Sequence, residues 1–157
     1  MINVRPAQPA DAAALVALAC AVSAEPEGWM IWSEWRGVGD ERRYLRAVRA
    51  HPDAAVFVAE ADGEIAGRMS LARDQNPASH HVADLGLMVD ARFRRRGVGR
   101  ALLEAAVEWA PEHGIAKLEL HVFPWNEAAI ALYESFGFER EGLRRSHYLR
   151  PNGYADA

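Results

Sequence analysis

The segment that most restricts the fold is LMVDARFRRRGVGRALLEAAVEWA, residues 87–110, followed by KLELHVF at 117–123. An apolar strand runs into an arginine-rich Gly-x-Gly, a helix follows, and a second strand closes the unit. A strand, a crossover helix and a second strand in one sheet require a right-handed connection and a parallel strand pair. The helix reads from Val98 to about His113, with Val98, Leu102, Ala105, Ala106 and Trp109 on one stripe and Gly114 as its stop. The charge at its mouth has the wrong sign. Arg94, Arg95 and Arg96 directly precede Gly97 and Gly99, and exposed cations at a helix N-terminus are unfavourable by roughly 0.3–1 kcal/mol each. A bound anion reverses that sign, because unpaired backbone N–H groups point at it and guanidinium groups reinforce them. Glycine lets the backbone come close where a Cβ would block it. Taken alone, the segment also reads as a solvated basic turn. It is not a Walker loop, and it lacks the third glycine of a dinucleotide fingerprint.

The remaining elements are placed by local signals. INVRPA reads as a strand, PADAAALVALACAV as a helix opened by Pro9 and Asp11, and Asp40–Ala50 as a second helix. Two β-rich runs flank Ala61-Asp62-Gly63-Glu64, a hairpin turn. VADLGLMV is apolar enough to suggest a strand buried on both faces. NEAAIALYESF reads as a helix ended by Gly137, FEREGLRRSHYL as a strand, RPNG as a turn and YADA as the start of a last strand. The order βα(α)βββαβαβ(β) describes an α/β layer, and 157 residues make one domain over 1–157.

Composition excludes some functions. Net charge is −4, and Arg92, Arg94, Arg95, Arg96 and Arg100 gather at one helix mouth instead of along a face, which argues against a nucleic-acid partner. The lone Cys20 permits no internal disulfide, fits a reducing cytoplasm, and reads as a buried, inert thiol. No charged-then-apolar leader and no apolar run of ~18 residues is present, so no membrane partner is expected.

Two stretches together resemble the GNAT superfamily of acetyl-CoA-dependent N-acetyltransferases. Val89, Phe93, Arg94, Gly97 and Gly99 stand at the spacing of its strand-loop-helix motif, with Ala91 where Pro is frequent and Arg95 where a further Gly is frequent. Downstream, Asn126, Ala129, Leu132, Tyr133, Gly137 and Phe138 match its Asn-x-x-Ala-x-x-Leu-Tyr-x-x-x-Gly-Phe stretch. The resemblance implies a mixed, mostly antiparallel sheet with a central parallel pair that splays apart, flanked by helices. It further implies that backbone N–H groups from Arg95 to Arg100, including Gly97, Val98 and Gly99, hold the CoA pyrophosphate with Arg94, Arg95 and Arg96 around it. Backbone groups of Leu87, Met88 and Val89 would pair with the pantetheine arm, and an N–H near Leu87 or Met88 would stabilise the oxyanion. Asn126 would bond the pantetheine or pyrophosphate region; it is equally apt as a helix N-cap. Tyr133 would protonate the departing thiolate, although periodicity alone makes it a core aromatic. No metal is implied.

The amine must attack unprotonated. A lysine-type amine (pKa ~10.4) therefore needs a base far more than an α-amine (pKa ~7.7–8.0). Asp84 is the leading candidate base, with His121, His80 and His81 as alternatives. Trp29, Trp32 and Trp35 with Glu25, Glu27 and Glu34 fall where such enzymes shape the acceptor pocket, and aromatics with carboxylates suit an ammonium. Packing over the sheet, or the face of a homodimer, explains the tryptophans equally well. The acceptor is accordingly an amino acid, small amine or peptide. A protein N-terminus or lysine, or a CoA-binding sensor without turnover, are the alternatives.

Overall fold

The computed structural model describes residues 1–32 and 34–157. Strand β1 (Ile2–Pro6) leads into helices α1 (Ala12–Ser23) and α2 (Val38–Ala50). The long strands β2 (Ala54–Ala61), β3 (Glu64–Arg73) and β4 (Val82–Val89) follow, then helix α3 (Val98–Glu112). The chain ends with β5 (Lys117–Glu119), α4 (Glu127–Ser135) and the short strands β6 (Tyr148–Arg150) and β7 (Gly153–Ala155). Five strands form one sheet in chain order β1-β2-β3-β4-β5, antiparallel except for the parallel β4–β5 pair. The expected mixed α/β sheet is therefore present.

The β2–β3 turn forms where the sequence places it. Asp62 (φ 53) and Gly63 (φ 76) both adopt positive φ, the two-residue turn whose twist suits a hairpin. Helix α1 begins where Asp11 accepts a hydrogen bond from Gln8 N–H at 2.7 Å, and the same carboxylate takes two bonds from Arg5 at 2.8 and 2.9 Å. Arg5 also reaches Glu60 on the neighbouring strand, fastening α1 to the sheet edge. Two apolar clusters cover the sheet. On one face α3 buries Val98, Leu102, Leu103, Ala106 and Trp109 against Ala83, Leu85, Met69 and Leu71. On the other, α1 and α2 bury Leu15, Leu18, Val22, Leu45 and Val48 against Val56 and Val58.

Four expectations change. β4 is not buried on both faces: Ala83 and Leu85 are buried, whereas Asp84 and Gly86 are exposed. The α1–α2 layer stops short of that part of the strand, leaving an open floor. The run 117–123 pairs with β4 at only three positions, Val82↔Lys117, Ala83↔Leu118 and Asp84↔Glu119. Beyond Asp84 the two strands part, so the splay itself shortens the second strand. The segment 138–149 is strand only from Tyr148, which pairs with β7 in a separate hairpin. That hairpin is held beside the continuation of β5 by a 2.8 Å hydrogen bond between His121 Nδ1 and the Tyr148 hydroxyl. Cys20 is exposed, not buried; α1 is apolar nearly all round, so its sequence hides which face meets the core.

Candidate active site

Peptide groups point alternately to the two sides of a strand. Asp90 N–H donates to Ala66 of the β3 side at 2.8 Å, and the β3–β4 register runs without a bulge. Met88 therefore turns its N–H and C=O to β3 as well. Leu87 and Val89 present theirs to the opposite edge, which β5 leaves open past Asp84. Of the three residues expected along the pantetheine, two have backbone groups facing the gap. Of Leu87 and Met88, only Leu87 turns its N–H to the gap.

The strand then enters the arginine loop. Arg95 (φ 60) and Gly97 (φ 85) both take left-handed backbone, and Gly97 forms the N-cap of α3. Arg94 N–H reaches Ala91 O and Ala101 N–H reaches Gly97 O. Among the described residues no acceptor takes the backbone N–H of any residue from Arg95 to Arg100. Alternating αR and αL conformations that aim successive N–H groups into one concavity make an anion nest, and the helix dipole adds to it. Arg95 and Gly97 give the loop that left-handed character.

The arginine side chains depart from the expectation. Arg94 turns inward: its guanidinium donates to both Glu25 oxygens, at 2.5 and 2.6 Å, and to Val89 O at 3.0 Å. It joins the glycine loop to the segment after α1 and occupies the Val89 carbonyl. Arg96 pairs with Asp62 at 2.9 Å, and Arg100 donates to Ser135 Oγ at 3.2 Å while lying over Phe136. Arg95 is exposed, and among the described residues no carboxylate or hydrogen-bond partner engages its side chain. The three guanidinium groups thus diverge, and among the described residues Arg95 alone of the three has no side-chain partner.

The two glycines also divide their tasks. Gly97 needs its positive φ, and an added Cβ there would meet only Ile2 Cδ1 at 3.8 Å. At Gly99 the backbone N–H belongs to the loop, but the missing side chain points elsewhere. Its missing Cβ would lie 2.8 Å from Leu132 Cδ2 of α4, and 3.8 and 3.9 Å from Leu87 and Val89 of β4. Gly99 is thus the point where α3, α4 and β4 pack together. Val98 is 1% exposed and contributes side-chain packing, leaving only its N–H to the loop.

On α4, Asn126 is the N-cap, its Oδ1 accepting from Ala129 N–H at 3.3 Å. Tyr133 packs in the α3-side core, edge-on to Phe138. Burial pushes its phenol up to about 12. Among the described residues nothing hydrogen-bonds the Tyr133 hydroxyl, so it remains a protonated donor across the physiological range.

Asp84 stands on the other face of β4. Although the residue is exposed, the protein around its carboxyl raises its pKa; His121 opposes the shift, Glu119 reinforces it and Arg144 opposes it. Burial likewise raises the Tyr148 phenol that holds His121. Asp84, His121 and Tyr148 therefore gather where β4 and β5 separate. His80 and His81 do not join them. They precede β4, at the end away from the splay, and their carbonyls accept bonds from Arg73 and from Ala116 and Lys117.

The tryptophan segment has a split role. Glu25 is committed to Arg94 and to Trp29 Nε1, so it is no free anion for an ammonium. Trp32 is 69% exposed. Trp35 lies between two guanidinium groups, with Arg36 at 4.8 Å and Arg68 at 5.0 Å from its ring centre. The Arg36–Glu41–Arg68 group was not legible locally, because Arg68 of β3 joins a pair at the start of α2 that is distant from it in sequence.

A splayed parallel pair, an N–H nest and an open strand edge define an α/β domain that accepts an extended, anion-bearing ligand. The acetyltransferase (GNAT) family model matches residues 23–138, and the chain belongs to that family. It is 37% identical over 107 residues to the L-amino acid N-acetyltransferase AaaT of Escherichia coli (strain K12), covering 68% of this chain and 66% of that protein. It is 45% identical over 71 residues to the ribosomal protein bS18 alanine N-acetyltransferase of the same strain, covering 45% of this chain and 48% of the relative. The chain thus spans half to two-thirds of the length of these curated relatives. The crystal structure of a GNAT-family acetyltransferase from Streptococcus pneumoniae superposes with a TM-score of 0.89 at 30% identity, over 99% of this chain and 95% of that one.

Proposed function

We propose that this chain transfers the acetyl group of acetyl-CoA to a primary amine by direct attack. The carrying observation is the run of unpartnered N–H groups from Arg95 to Arg100 at the end of a strand whose outer edge is open. A pyrophosphate suits that nest, with Arg95 beside it, and an amide-bearing arm suits the Leu87–Val89 edge. Asn126 keeps its side-chain N–H₂ for the same arm while its Oδ1 caps α4.

The Leu87 N–H faces the gap where the thioester carbonyl would lie and stabilises the developing oxyanion. The amine nitrogen forms the new C–N bond, the C–S bond breaks, and the thiolate takes the proton from Tyr133. Asp84 takes the ammonium proton from the opposite face of β4; its raised pKa brings it nearer the range where a general base is effective. The Asp84–His121–Tyr148 group supplies the route by which that proton reaches solvent.

Thiol release from acetyl-CoA, followed with and without an amine, tests this reading. Amine-dependent release that collapses in Tyr133→Phe supports it; tight acetyl-CoA binding with no release to any amine would leave a sensor in its place. Among the described residues no helix is long and apolar enough to cross a membrane.

A further inference from the structure

Gly67 lacks a side chain where β3 meets Val98 and Leu102 of α3. By alternation Arg68 and Ser70 point to the other face of the sheet. That is the face of Gly86, whose added Cβ would sit 2.9 Å from Ser70 Oγ. Arg68 pairs with Met88 and Ser70 with Gly86 across the strands, so Arg68 stands at one end of the open floor and Asp84 at the other.

Arg68 is only 5% exposed, and its burial lowers the affinity of the guanidinium for its proton. A buried cation is costly unless paired. Its partner Glu41, fully buried in α2, is shared: Arg36 takes Glu41 Oε2 at 2.6 Å, while Arg68 Nη2 stays 3.8 Å from Oε1. Among the described residues neither arginine has a second carboxylate. Two guanidinium groups against one carboxylate leave one unbalanced positive charge. Among the described residues two buried donors, Arg68 Nε and Trp35 Nε1, have no acceptor, and Glu41 Oε1 has no donor within hydrogen-bond reach. Arg36 and Arg68 both lie against the Trp35 and Tyr44 rings.

We infer that Arg68, Arg36 and Trp35 form a carboxylate-binding pocket, and that the acceptor is an α-amino acid held by its carboxylate with its amine over Gly86. This inference rests on the proposed acetyl transfer. A planar guanidinium donates to a carboxylate through two parallel bonds, and the indole N–H adds a third. The aromatic rings and Met88 suit an apolar side chain on the amino acid. A peptide or protein N-terminus bears no carboxylate at that distance from its amine, so the pocket discriminates against it.

The test compares free amino acids with their carboxamides and with short peptides, in wild type, Arg68→Met and Arg36→Met. Removing Arg68 leaves Glu41 paired with Arg36 in a neutral group, so the variant retains its charge balance; circular dichroism and the affinity for acetyl-CoA check its fold. Wild type should favour the carboxylate over the carboxamide in kcat/KM by about 10- to 100-fold, the range for charged hydrogen bonds. Both variants should lose most of that preference while the KM for acetyl-CoA holds. Equal use of acid and amide, or an unchanged preference in either folded variant, overturns the pocket. Transfer to peptides alone also overturns it, while leaving acetyl transfer standing. Absence of transfer to every amine removes the acetyltransferase reading instead. Calorimetric titration with the free amino acid then decides the pocket: binding that depends on Arg68 sustains it, and none overturns it.

Discussion

Replacing Gly99 with Ala probes the junction on which the site depends. An ideal Cβ at this position lies 2.8 Å from Leu132 Cδ2, whereas ordinary contact begins at 3.4 Å. Leu132 must therefore retreat by at least 0.6 Å, the difference of those two distances. Overpacking of this kind costs about 1–3 kcal/mol, and exchanging Gly for Ala in a helix returns about 1 kcal/mol. The net loss is expected at about 0–2 kcal/mol by urea denaturation. Leu132 directly precedes Tyr133 on α4, so the displacement should lower kcat more than it raises the KM for acetyl-CoA. Leu132→Ala alone should cost about 1–2 kcal/mol, below the fully buried range because this leucine is half-buried. Combining the two restores the space, and the double variant should be more stable than the sum of singles by at least ~0.5 kcal/mol. Additive behaviour would refute the contact. A loss of acetyl-CoA affinity with stability and kcat unchanged would instead show that the missing side chain of Gly99 serves the anion cradle.

Tyr133→Phe removes a buried hydroxyl that has no hydrogen bond among the described residues, so its stability should stay within about 1 kcal/mol of wild type, while kcat falls by roughly 10²-fold or more for loss of the acid; a melt and a Michaelis curve check both. Asp84 has a folded pKa above its unfolded value, so the folded state binds more protons and stability falls as pH rises from the ordinary carboxylate pKa through the raised one. Asp84→Asn should flatten that slope in denaturation series across the acid range and also abolish the acid limb of kcat/KM. Glu25→Gln removes the charge and one of the two oxygens that accept from Arg94, loosening the guanidinium beside Val89; the KM for acetyl-CoA should rise severalfold, read by initial rates, with little change for the acceptor's carboxylate preference.

Local patterns carried much of the fold. The Asp62-Gly63 turn, the α3 stripe and the left-handed Gly97 each follow from short-range rules, and each stands where the residues place it. The splay did not show itself in the residues of β5, because Leu120, His121 and Val122 are as strand-like as Lys117–Glu119 but lack a neighbour. Charge at the glycine loop was legible while its direction was not. Arg94 is turned by Glu25, 69 residues away, and no local rule couples them. The same holds for Arg68, which looks like an ordinary polar residue in an alternating strand until Glu41 and Trp35 are brought against it.

Acetyl transfer itself is measured most directly by incubating the protein with acetyl-CoA and an apolar free amino acid, and following thiol release together with the mass of the amino acid. The structure predicts stoichiometric formation of the N-acetylated product and free thiol, both slowed by roughly 10²-fold or more in Tyr133→Phe. Thiol release that is independent of the amine, with no acetylated product, would contradict it.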